Sequence, residues 1–163
     1  MDVADKIALV TGGGRGIGRA ISTVLAQNGA DIVVADINLD NALSVAAEVS
    51  EMGRQSIAQH ADVTVRESID ALVDAAIQRF GRIDILVNNA GIVAAPGWEE
   101  RERPSEDDWD LIYAVNVKGV AGVTESVAPH MKRRRYGKIV NIASIAGRIG
   151  SRTSAPYSAS KAS

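Results

Sequence analysis

The stretch that most constrains this chain is Lys6-Ile7-Ala8-Leu9-Val10, a short apolar run that empties directly into Thr11-Gly12-Gly13-Gly14-Arg15-Gly16-Ile17-Gly18. The first segment reads as a buried strand. The glycines after it permit the positive φ angles of a tight turn and let another group approach the backbone closely. A helix is expected from the last of them, with Ile17, Ile21, Val24 and Leu25 at helical spacing and Gly29 as its stop. Strand, glycine turn and helix in that order make an anion site, because the free N–H groups and positive dipole end of the helix face the turn. A glycine cluster alone often merely connects two elements, but its position between a strand and a helix is what a pyrophosphate site requires.

The remainder alternates short β-branched runs with amphipathic stretches. Asp31 to Asp36 reads as a second strand, followed by a helix from about Asn41 to Met52 closed by Gly53, and a third strand around Ser56 to Ala61. Thr64-Val65-Arg66-Glu67 has the form of a capping box opening a helix. The apolar stripe of that helix is Ile69, Leu72, Val73, Ala76, Ile77 and Phe80, and Gly81 ends it. Ile83 to Val87 is a fourth strand delivering Asn88-Asn89-Ala90-Gly91. After a loop with Pro96, Gly97 and Pro104, Ser105-Glu106-Asp107-Asp108 starts a long helix towards Met131, with a distortion expected near Pro129. Lys138 to Ile142 is a fifth strand. No repeat or linker divides the 163 residues, so residues 1–163 are read as a single domain. The alternation predicts an α/β fold with a doubly wound parallel sheet, right-handed crossovers and ligands at the carboxyl ends of the strands.

Composition removes several function classes. Eighteen basic and twenty acidic residues give a net charge of −2, which offers no global attraction to nucleic acid or anionic membrane. The one basic run, Arg133-Arg134-Arg135, is read as a solvated helix end complementing the dipole. There is no cysteine, hence neither disulfide nor thiol catalysis. His60 and His130 have no metal-ligand spacing, and no metal is expected. Trp98 and Trp109 bracket an acidic segment (Glu99, Glu100, Glu102, Glu106, Asp107, Asp108) read as a surface loop and cap. No apolar run approaches the ~20 residues that span a bilayer, and the first residues lack the pattern of a signal peptide, so a cytoplasmic location is the expectation.

Two constellations carry chemistry. Asp36 stands at the carboxyl end of the second strand, where an acid meets an adenosine ribose. A carboxylate accepts hydrogen bonds from both ribose hydroxyls and repels a 2′-phosphate, which favours NAD over NADP. Arg15 pulls the other way, since a guanidinium in the glycine loop suits a 2′-phosphate. NAD is the first expectation and NADP the runner-up. At the other end of the chain, Tyr157 and Lys161 stand four residues apart and share a face if helical. A phenol, with an ordinary pKa near ~10, becomes a useful acid-base group at neutral pH when a fixed ammonium lies within about 4–6 Å. Ser144, just after the fifth strand, could donate a hydrogen bond to an oxygen on which charge develops.

Together these residues resemble the short-chain dehydrogenase/reductase family. TGGGRGIG at 11–18 is similar to its glycine loop, NNAG at 88–91 to its fourth-strand motif, and Asn116, Ser144, Tyr157 and Lys161 to its catalytic tetrad. The likeness runs from about Lys6 to Lys161 and within the family is nearest to 3-oxoacyl-carrier-protein reductases and related sugar or alcohol dehydrogenases. It implies a Rossmann-type sheet and hydride transfer between a nicotinamide cofactor and a carbonyl or alcohol. Tyr157 would be the general acid/base. Lys161 would hold the nicotinamide ribose and activate the tyrosine, Ser144 would orient the substrate oxygen, and Asn116 would hold a water on the proton route. Gly12, Gly16, Ile17 and Gly18 would line the pyrophosphate, with Arg15 beside them as a cofactor-binding residue. Asp36 would line the adenosine ribose, Asp62 and Val63 the adenine, and Asn89, Ala90 and Gly91 the centre of the cofactor.

Family members commonly run to roughly two hundred and fifty residues, and the expectation is of a chain lacking their last strands and substrate lid. The helix carrying Tyr157 would be short and the fifth strand an exposed edge. A catalytically silent nucleotide-binding fragment is therefore the alternative. The resemblance further implies a homotetramer for the full-length form, and no nucleic-acid or membrane partner.

Overall fold

The apolar runs of the sequence become the middle of a parallel sheet. In a computed structural model, which describes residues 3–98, 102–150 and 154–163, β1 (Ile7–Thr11) and β2 (Asp31–Asp36) are buried at every position. That is the state of strands covered by helices on both faces. With β3 (Ser56–His60), β4 (Ile85–Asn88) and β5 (Lys138–Asn141) they form a sheet of order β3-β2-β1-β4-β5, each neighbouring pair parallel. The order reverses at β1, and the crevice between the carboxyl ends of β1 and β4 is the place where such sheets bind ligands.

Alternate strand residues face opposite layers. Leu9, Val33 and Leu86 pack with Ile69, Leu72, Val73, Val123 and Val127 from α3 (Arg66–Phe80) and α5 (Val120–Arg134). Val10, Ile32 and Val34 pack with Ala26, Val45 and Val49 from α1 (Gly16–Gln27) and α2 (Leu39–Glu51). The doubly wound α/β expectation is met.

Several local expectations are corrected. The stripe expected to bury α1 is not the face it buries: Ile17 and Val24 are exposed, and Gly18, Ser22 and Ala26 face the sheet, with Ile21 and Leu25 half-buried. The small face brings the helix so close that a Cβ at Gly18 would collide with the Gly12 carbonyl oxygen. Helix α2 starts ahead of expectation because the Asn38 side chain accepts from the Asn41 N–H at 3.0 Å. The Thr64 capping box does not form. The Thr64 hydroxyl and N–H both donate to Asp62 Oδ1, at 2.7 and 2.9 Å, and α3 begins at Arg66 without a side-chain cap. A local turn around the aspartate won the competition for the threonine. The box at Ser105 and Asp108 does form and opens α4 (Glu106–Tyr113), with Asp108 buried rather than at the surface. Glu99 and Glu100 lie outside the described residues.

The fourth strand starts at Ile85 because the carboxylate of Asp84, not a backbone carbonyl, accepts the Ile7 N–H at 3.0 Å. Asp84 is 1% exposed and is held by Arg82 Nε at 3.0 Å and Arg134 Nη1 at 2.8 Å. Arg134 is therefore not a merely solvated helix end; a buried carboxylate has recruited it, as a buried charge must. Helix α5 continues unbroken past Pro129, which lies on its exposed side, where water can take up the bond its missing N–H forfeits. The irregularity lies upstream, in a π-helical segment at Ala114–Gly119 that joins α4 to α5 and carries Asn116. Single π turns of this kind gather at functional sites. Two short helices, α6 (Ala146–Ile149) and α7 (Ala155–Ala162), complete the described chain.

Candidate active site

A cleft of about 470 Å³ opens at the carboxyl ends of the strands, within the usual range of ligand sites. Every residue predicted for the site except Asn116 lines it: the loop and helix start at Gly12, Arg15, Gly16, Ile17 and Gly18, then Asp36, Asp62 and Val63, then Asn89 to Gly91, and finally Ser144, Tyr157 and Lys161. A second cavity of about 360 Å³ lies among Trp98, Asp108, Ile112 and Pro156 and holds none of these residues.

The loop after β1 is built from positive-φ glycines at Gly12 (φ 60°) and Gly16 (φ 54°). Helix α1 starts without a side-chain cap on Arg15 and without an acidic residue in its first turn. Its leading amides therefore face the cleft with neither a competing acceptor nor a repelling charge, which fits a diphosphate. The loop is tied down by two residues. Thr11 Oγ1 donates to the Val87 carbonyl at 3.4 Å and accepts from Asn89 N and Ala90 N, both at 3.1 Å. Asn89 Nδ2 donates to the carbonyls of Thr11 at 3.0 Å and Gly12 at 2.9 Å. Asn89 thus shapes the loop with its side chain. Thr11, 2% exposed, was missed as a site residue; a hydroxyl ending a wholly apolar strand was the available signal.

Asp36, 6% exposed, is held at both oxygens: Oδ2 accepts from Gly14 N at 2.9 Å and Oδ1 from Asn38 N at 3.0 Å. A carboxylate has about four acceptor positions, so two remain for the two hydroxyls of a ribose.

Tyr157 and Lys161 lie on α7. Ser154 caps it, accepting from Tyr157 N at 3.4 Å while its hydroxyl donates to the Val93 carbonyl at 2.8 Å. Lys161 Nζ donates to the Ile142 carbonyl at 2.8 Å and sits 6.0 Å from the centroid of the Tyr157 ring. Ser144 Oγ accepts from Ala146 N at 3.2 Å. Asn116 stands behind the cleft. Its Oδ1 accepts from Ile92 N, and its Nδ2 donates to the Ile92 carbonyl and to Ser160 Oγ, all at 2.9 Å. Ser160 in turn donates to the Tyr157 carbonyl at 2.8 Å. A Cβ on Gly91 would lie 3.2 Å from Asn116 Oδ1 and 3.7 Å from Lys161 Nζ, so the missing side chain leaves asparagine and lysine on either side of one narrow gap. Ser160 was not predicted; a hydroxyl one residue before Lys161 gives no sequence signal of its partners.

The glycine loop and Asp36 at one end, and the phenol, ammonium and hydroxyl of Tyr157, Lys161 and Ser144 at the other, share one cleft at the switch point of an α/β sheet. The family model for short chain dehydrogenases matches residues 6–163, and the chain belongs to that family. It is 39% identical over 162 residues to a 3-oxoacyl-[acyl-carrier-protein] reductase of Thermotoga maritima, covering 99% of this chain and 65% of that protein. Its fold superposes on a crystal structure of NAD+-bound xylitol dehydrogenase with a TM-score of 0.91 at 36% identity, covering 99% of this chain and 62% of that one. For a short chain dehydrogenase/reductase from Burkholderia phymatum in complex with NAD the TM-score is 0.89 at 34% identity, covering 99% and 57%. The chain thus spans about 65% of the length of the curated relative. Among the described residues no helix is long and apolar enough to cross a membrane, and no cluster of potential metal ligands occurs.

Proposed function

We propose that this chain is the nucleotide-binding and catalytic part of an oxidoreductase that moves hydride between a nicotinamide cofactor and a carbonyl or alcohol, with residues 1–163 acting as a single domain. The observation that carries this is the shared cleft, in which the glycine loop and Asp36 stand at one end and Ser144, Tyr157 and Lys161 at the other. The likeness to reductases and dehydrogenases supports it.

When bound, the cofactor supplies or accepts the hydride. The amides at the start of α1 hold its diphosphate, Asp36 its adenosine ribose, and Asp62 and Val63 flank its adenine. Asn89 holds the loop in shape, and Ala90 and Gly91 let the centre of the dinucleotide lie close to the backbone. Tyr157 gives its phenolic proton to the substrate oxygen in reduction and takes it back in oxidation. Ser144 donates a hydrogen bond to that oxygen, Lys161 supplies the positive charge beside the phenol, and Asn116 fixes the Ile92 backbone and α7 from behind. NAD is the cofactor and NADP the runner-up. The NAD-bound neighbours and the preorganised Asp36 favour the first, and Arg15 keeps the second open. The substrate is a small molecule, the full-length form a homotetramer, and the location cytoplasmic.

The test is a fluorescence titration with NADH and NADPH, combined with NADH oxidation against a panel of ketones, for the wild type and Tyr157→Phe. The variant should abolish turnover and leave NADH affinity within about twofold. Binding without turnover in the wild type would favour a silent nucleotide-binding fragment, and absence of binding would end the proposal. Light scattering at increasing concentration tests the tetramer.

A further inference from the structure

Gly14 and Gly16 are glycines for different reasons. Gly16 has φ 54° and open space where a Cβ would go. Gly14 does not have a positive φ, so its backbone would accept any residue, but its surroundings would not. A Cβ there would lie 2.7 Å from Asn41 Cβ, 2.9 Å from the Asn41 carbonyl carbon and 2.9 Å from Asp36 Oδ2. Two of these three atoms belong to α2 and cannot swing aside like the end of a flexible side chain.

We infer that Gly14 is a positioning residue for cofactor selectivity: its N–H and its missing side chain clamp the Asp36 carboxylate, so that the carboxylate cannot turn away from a 2′-phosphate. The inference rests on the cofactor reading above. Its grounds lie in the chain itself. The Gly14 N–H donates 2.9 Å to Oδ2, and the Asn38 N–H donates 3.0 Å to Oδ1 from the start of α2. One oxygen is thus tied to the loop that holds phosphate and the other to the helix that Gly14 lets approach. A carboxylate on one tether could rotate and present its edge elsewhere; on two it is fixed, with one acceptor position per oxygen left for a vicinal diol. A side chain at 14 would push α2 and Asp36 off the loop, lengthen the Gly14 bond and free the carboxylate. Arg15, exposed beside it in the same cleft, would then be the nearest loop charge able to meet a 2′-phosphate.

The experiment is a double-mutant cycle read as the ratio of NADPH to NADH dissociation constants, by fluorescence titration of wild type, Gly14→Ala, Asp36→Ala and the double variant. Gly14→Ala should lower the preference for NADH about tenfold, the size of one hydrogen bond to a charged group. In the Asp36→Ala background it should leave the ratio unchanged, because the group it positions is gone. A simple loosening of the fold would weaken both cofactors alike. An unchanged ratio in Gly14→Ala, or the same change with and without Asp36, would overturn the inference while leaving the cofactor reading intact. Binding of neither cofactor by the wild type would end both. Amide hydrogen exchange keeps the clamp testable if Gly14→Ala does not fold. The Gly14 N–H should be protected in the wild type and exchange faster in Asp36→Ala, and exchange at the rate of an open loop in the wild type would dismiss the clamp.

Discussion

The two ends of the cleft are held by different forces. The glycine-loop end, proposed above as the nucleotide end, stands on β1 and β2, buried at every position, and on the packed α1 and α2 layer. The end with Ser144, Tyr157 and Lys161, the proposed catalytic end, stands on β5, exposed at every position, on α6, which buries no residue, and on α7, which buries only Pro156 and Ser160. Burial of apolar surface fixes the first, at roughly 25 cal/mol per Å² removed from water. Individual polar bonds fix the second: Ser154 to Val93, Lys161 to Ile142, and Asn116 through Ser160 to the Tyr157 backbone. Within the described residues a half packed by apolar side chains and a half tied by polar bonds share one pocket, and Ser144, Tyr157 and Lys161, the proposed acid-base group, lie in the second.

The contrast breaks most visibly by substitution in the strands. Leu9→Ala, at a fully buried position of β1, should cost about 2–5 kcal/mol in urea unfolding. If it cost no more than a surface change, the hydrophobic account of the nucleotide end would be wrong. Asn89→Ala leaves two carbonyls of the loop without their donor and should cost about 1–3 kcal/mol, together with a loss of NADH affinity measured by titration. Ser160→Ala removes the link between Asn116 and α7 and should cost only about 1 kcal/mol globally. Its effect should concentrate in faster amide exchange along α7, with the amides of β1 and β2 unmoved. Uniform acceleration across the molecule would mean that the two ends do not differ in local stability. Val140→Ala, 46% exposed in β5, should stay within about 0.5 kcal/mol of wild type.

The smallest effect is expected far from the cleft, at Asp70. Hydrogen bonds from Arg66 and Ser126 hold its carboxyl below the ordinary range. Because the folded value is the lower one, any stability it adds is present above the unfolded value and lost as pH falls through the folded one. The group is exposed, and Asp70→Asn should move the melting temperature by less than about one degree at neutral pH. A larger shift would show that α3 and α5 depend on their surface pairing.

Much of the architecture could be read in advance. The strand–glycine–helix order placed the loop, the four-residue interval placed Tyr157 and Lys161 on one face of a helix, and the carboxylate ending the second strand was found against the loop. The failures are of two kinds. Thr64 was expected to cap a helix and bonds Asp62 instead; Arg134 was expected in solvent and binds Asp84; Pro129 was expected to mark the irregularity that lies in the π segment around Asn116. The first two concerned which of several feasible partners a polar group would take, and the third where a helix would depart from regular hydrogen bonding.

What the sequence settled by itself was periodicity and order, because the interval between apolar residues, the glycines that allow a turn and the succession of strand and helix are local properties of the chain. What only the tertiary structure decided was the choice of partner across long separations: Asn89 turned onto the loop 77 residues before it, Asn116 reaching Ser160 44 residues on, and Gly14 admitting Asp36 and Asn41 to the space its side chain would have filled. Such choices depend on how closely the layers pack and on which buried polar group would otherwise go unpaired, and neither is written in the spacing of residues along the chain.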